Sequence, residues 1–88
     1  MKVDFASTFL KTLKKTKNSD LLQKIHEAIE EVICANKLEE IKNIKKLTGY
    51  KHHYRIKVQE YRIGIEVIDN IVRFLVVLHR KDIYKKFP

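Results

Sequence analysis

The 88-residue chain carries 19 Lys and Arg against 11 Asp and Glu, a formal net charge of +8. This length supports one core, expected as a single domain over 1–88, and the 44% hydrophobic content excludes general disorder. Cys34 stands alone, which excludes an internal disulfide framework, and no apolar run is long enough to span a bilayer.

Together with the absence of a signal-peptide pattern, this leads us to expect a cytoplasmic protein with no membrane partner. The basic excess argues for a polyanionic partner, either nucleic acid or an acidic protein.

Lys2-Val3-Asp4 has the makings of an edge strand. A first helix is predicted over 5–16, capped by Asp4 or Ser7, with Phe5, Phe9, Leu10 and Leu13 on one stripe. Residues 16–20 break it and offer Asn18 and Ser19 as caps. A second helix over 19–35 follows the helical period through Leu21, Leu22, Ile25, Ala28, Ile29, Val32 and Ile33, with Glu27, Glu30 and Glu31 outward. The short break makes the pair an antiparallel hairpin. Asn36 is suited to a left-handed cap. Residues 37–48 fit either a turn of helix or extended chain.

Residues 54–58, 61–68 and 71–79 are rich in Val, Ile, Tyr and Phe and read as three antiparallel strands. Gln59-Glu60 and Asp69-Asn70 separate them, and Asp and Asn tolerate the positive φ of a type I′ turn. Strict alternation puts Tyr54, Ile56, Val58, Tyr61, Ile63, Ile65, Val67, Val72, Phe74, Val76 and Leu78 on one face. Arg55, Lys57, Arg62, Gly64, Glu66, Arg73 and His79 fall on the other, with Leu75 and Val77. Two-residue turns then set Lys57 opposite Arg62, Glu66 opposite Arg73, and Arg62 opposite Val77. The expected fold is α+β: a helical hairpin on one face of a small antiparallel sheet, ending in a short helical turn.

The chemistry sits on the cationic face. His52 and His53 are adjacent and point to opposite faces, nothing completes a metal set, and there is no Gly-rich phosphate loop. No metal and no small-molecule cofactor are expected. Like charges directly across a ladder are unfavourable, so Lys57 beside Arg62, with Arg55 two residues along, makes sense where an anion sits. His79 ends the third strand on that face, and Arg80 and Tyr84, four apart, would share a face of the terminal turn. RNA cleavage by transesterification needs this set: a group to take the 2′-OH proton, cations for the phosphorane, and an acid for the leaving 5′-oxygen. The plain alternatives are a Tyr84 ring packed on the core and a satisfied strand-end His79.

Leu47-Thr48-Gly49, Tyr54-Arg55-Ile56-Lys57-Val58, Tyr61-Arg62-Ile63-Gly64 and Leu78-His79-Arg80-Lys81-Asp82-Ile83-Tyr84 together resemble the RelE/ParE superfamily of type II toxins, nearer the RelE side. The resemblance implies an mRNA interferase that enters the ribosomal A site, and a cognate antitoxin that covers the basic face. By position it makes Arg62 the ligand of the scissile phosphate and Lys57 its partner, with Arg80 and Arg55 helping and His79 or Tyr84 transferring protons. Arg73 and Lys81 extend the RNA-binding set. The first basic position is Arg55 where relatives have Lys, and a permanently charged guanidinium is a poor proton carrier. Two other classes share the fold: a ParE-like inhibitor of DNA gyrase without nuclease activity, and an inactive binding protein.

Overall fold

Asp69 and Asn70 both take positive φ, 52° and 65°, as a two-residue type I′ turn requires, and Gln59 does so at 54° in the preceding turn. These turns fix the central ladder of the computed structural model, which describes residues 1–88. In chain order the elements are β1 (Lys2–Phe5), α1 (Ser7–Lys15) and α2 (Ser19–Cys34). A 3₁₀ turn at Leu38–Glu40 leads to β2 (Ile44–Lys46), then β3 (His53–Val58), β4 (Tyr61–Ile68), β5 (Ile71–His79) and α3 (Ile83–Lys86).

The sheet order is β1-β5-β4-β3-β2. The three expected strands are antiparallel, with Lys57 opposite Arg62 and Glu66 opposite Arg73. The sheet as a whole is mixed, because β1 returns through two helices and pairs parallel with β5. The ambiguous stretch resolves as extended chain at β2, whose Lys45 lies opposite Arg55. The α+β class stands; the edge strand read at Lys2-Val3-Asp4 forms as β1, and β2 brings the sheet to five strands.

Helices α1 and α2 cover one face. Phe9, Leu21, Ile25 and Val32 meet Ile56, Ile63, Ile65, Val72, Phe74 and Val77 in one buried cluster. Phe5, which was expected in the first helix, ends β1 instead and stacks on Phe9 and Phe74. Helix α1 begins at Ser7 without a side-chain cap, and Leu10 is exposed rather than part of the stripe. Asn18 caps α2 by accepting from the Leu21 N–H. At the other end Ala35 is extended, and the Met1 ammonium donates to the Val32, Ile33 and Ala35 carbonyls. That charge meets the negative end of the helix dipole, so no left-handed turn at Asn36 is required.

One irregularity changes the faces. The β4–β5 ladder slips between Gly64 and Ile65: Ile65 pairs with Phe74 but Gly64 pairs with Val76, leaving Leu75 as an extra residue on β5. Arg62 is therefore opposite Leu78, not Val77. Beyond the bulge Val77 enters the core, while Val76 and Leu78, expected there, turn to the other face. They pack there with Leu75, Leu47, Ile83 and Phe87.

Candidate functional site

That second apolar cluster seats α3. A helix of four residues is far too short to hold itself together, so packing must hold it. Ile83 and Phe87, four residues apart and both buried, are its anchors. The Phe87 ring lies over Gly64: a Cβ added there would come within 2.8 Å of Phe87 Cε1 and Cζ and of Val76 Cγ2. The absent side chain is thus the slot that admits the ring.

Docking α3 in this way delivers Tyr84 to the cations. Its ring centroid is 5.0 Å from the Arg55 Cζ, within cation–π range, while 70% of the residue stays exposed. Arg55 lies directly opposite Gly64, and the next same-face pair along the ladder is Lys57 with Arg62. Lys45 completes the group from β2. Asn43, Ile44, Lys45, Arg55, Lys57 and Arg62 line one open concavity. Arg62 is held in place by its own turn, with Nη1 donating to the carbonyls of Gln59 (3.0 Å) and Tyr61 (2.9 Å). Its remaining donors stay available to an anion.

Ion pairing separates the basic residues into two groups. Arg73 meets Asp4 at 3.5 Å and lies across from Glu66, at the far end of the sheet. Arg80 Nε meets Glu60 Oε2 at 2.9 Å. Arg55, Lys57 and Arg62 have no carboxylate partner. A cluster of like charges with no counter-ion of its own can be neutralised by an anion from outside the chain.

Two expected members fall elsewhere. His79 pairs with Tyr61, and their rings meet at 5.4 Å, edge to face, on the side of the helical hairpin. The bulge causes this, since one extra residue inverts the facing of every position beyond it. The His79 Nδ1 also accepts from the Lys81 N–H. Arg80 and Tyr84 do not share a helix face, because Arg80, Lys81 and Asp82 form the turn before α3, with Arg80 tied to Glu60. Lys81 is exposed in that turn. Lys45, Gly64 and Phe87 belong to the site without having been singled out as such. The only signal for Phe87 was its four-residue spacing from Ile83.

The fold is that of a toxin family. The model for the ParE toxin of the type II toxin-antitoxin system parDE matches residues 3–84, and the chain belongs to this family of type II toxins. Among its relatives, Toxin RelE3 of Methanocaldococcus jannaschii is 48% identical over 89 residues, covering 100% of both chains. The RelB-RelE antitoxin-toxin complex from Methanococcus jannaschii contains a chain that is 45% identical with a TM-score of 0.78, covering 97% of this chain and 99% of that one. The intact Escherichia coli RelBE toxin-antitoxin complex is similar at 27% identity and a TM-score of 0.69, covering 89% and 94%.

Proposed function

We propose that this toxin is a ribosome-dependent endoribonuclease that cuts mRNA in the A site by attack of a 2′-oxygen on the adjacent phosphate. The observation that carries this reading is the clustering of unpaired Arg55, Lys57 and Arg62 in one concavity, with the Tyr84 ring over Arg55. In the step, the 2′-oxygen bonds to phosphorus as it loses its proton, and the bond to the 5′-oxygen breaks as that oxygen gains one. Arg62 and Lys57 hold the phosphate and stabilise the charge of the phosphorane, with Arg55 adding a third cation. Tyr84, whose ring lies over Arg55, is the proton-transfer group. His79, on the opposite face, has no part in this scheme, and Arg80, paired with Glu60, has no direct one.

The likeness to RelB-RelE and RelBE complexes supports a second component: a cognate antitoxin as the protein partner of this chain. Its natural target is the same unpaired cationic surface, which acidic side chains neutralise as well as RNA does.

The test is primer extension on a reporter mRNA in a purified translation reaction, with and without ribosomes. Cuts within codons that appear only on translated message are expected. Intact mRNA alongside growth arrest in cells points instead to gyrase inhibition, and intact mRNA without arrest to an inactive relative.

A further inference from the structure

Beside the cationic concavity lies a second one, lined by Lys45, Lys46, Leu47, Thr48, Tyr50, Arg55, Tyr84 and Phe87, and the two share Lys45 and Arg55. Its floor is apolar, since Leu47 and Phe87 are both buried. Its rim carries two large exposed aromatics, Tyr84 and Tyr50, the latter 48% exposed. Tyr50 is nevertheless not a loose side chain. Its N–H donates to the Leu47 carbonyl at 3.3 Å, closing a turn in which Gly49 takes φ 86° at the third position. Its ring rests edge to face on His53 at 5.7 Å, and His53 in turn rests on Phe87 at 5.5 Å and lies 3.7 Å from Glu66. An aromatic held in this way gives up little conformational freedom on stacking.

An apolar floor, aromatic rim and flanking cations make up a platform for single-stranded nucleic acid, with bases stacking on rings and phosphates following the charges. We propose that this cup is a nucleotide subsite for single-stranded RNA, in which Tyr50 stacks the base next to the phosphate held by Lys57 and Arg62. Lys45 and Arg55, shared by both concavities, bridge the two positions along the strand. This inference rests on the proposed RNA-cleaving function for its ligand, but its test does not require cleavage.

The probes are two fluorescein-labelled oligomers bound to the full chain: 2′-O-methyl hexaadenylate, whose blocked 2′-oxygens cannot attack, and an abasic sugar–phosphate hexamer of equal charge. The wild type is expected to bind hexaadenylate more tightly than the abasic strand. Tyr50→Ala is expected to weaken hexaadenylate binding roughly 5- to 150-fold with little change for the abasic strand. Tyr50→Phe keeps the ring and is expected to keep the affinity. Equal affinity for the two probes in the wild type, no binding of either, an equal loss on both, or a Tyr50→Phe variant as weak as Tyr50→Ala each overturns the subsite. Base-dependent binding without cleavage of translated mRNA removes the nuclease and leaves the subsite. Cleavage with undiminished hexaadenylate binding by Tyr50→Ala removes the subsite and leaves the nuclease.

Discussion

The helix-covered face of the sheet gathers 13 buried residues into one cluster, while the open face has only Leu47, Ile83 and Phe87, and carries the unpaired Arg55, Lys57 and Arg62. The first face supplies stability and tolerates no charge. The second spends apolar area on a single task, fixing a four-residue helix so that one tyrosine meets one arginine. Site and core are separated by the thickness of a β-sheet, which lets the site hold three mutually repelling cations without charge entering the interior.

The sharpest way to break this division is at the core. Phe74→Ala removes a fully buried ring stacked on Phe5 and tilted against Phe9, and is expected to cost about 3–5 kcal/mol in a denaturant titration. That is a large share of the stability of a small domain, and a loss below about 1 kcal/mol would show that the helix-covered face does not carry it. On the open face the expectation reverses. Arg62→Ala should lower the cleavage rate on translated message by roughly 10²–10³-fold, the cost of removing one charge-stabilising donor, while the melting temperature stays within a few degrees. A comparable loss of folding would mean the guanidinium is structural, through its bonds to the Gln59 and Tyr61 carbonyls.

Phe87→Ala tests the joint between the two. It leaves the cations in place but frees α3, so cleavage should fall by up to about 10²-fold through misplacement of Tyr84, while binding of uncleavable RNA should weaken by less, through loss of the cup's apolar floor. Equal loss of binding and rate would instead show that Phe87 acts on cleavage only through binding. Asp4→Asn removes the exposed pairing with Arg73 and should change stability by about 0–1 kcal/mol, with cleavage unaltered. A marked gain in RNA affinity in that variant would bring Arg73 back into the RNA-binding set.

Much of this division was legible in the sequence because alternation carries it. Tyr54 through Val67 alternates apolar with polar residues, so the facing of Arg55, Lys57 and Arg62, and the Lys57–Arg62 pairing, followed from turn length alone. The second half of β5 was not legible, for a definite reason. From Phe74 to Leu78 every residue is apolar, so a phase slip at Leu75 leaves no trace in the pattern, and no glycine marks the bulge on that strand. The misplacement of Val76, Val77, Leu78 and His79 all comes from that one residue. β2 was hidden differently: at three residues it is too short to show a period, and pairing with β3 makes it a strand. The ion pairs that withdraw Arg73 and Arg80 join residues 69 and 20 positions apart in the chain, beyond the reach of any local pattern.

The seating of α3 also has a consequence for motion. The residues that close the site are held by one small cluster at the end of the chain, whereas β4 and β5 are held by the whole core. Hydrogen exchange should therefore find two cooperative units, with the Phe87 amide, bonded to the Ile83 carbonyl, opening well before the central strands. Under the proposed mechanism the competent Tyr84–Arg55 geometry is then lost and regained with the sheet intact, its population set by the release of a single turn of helix rather than by the melting of the protein.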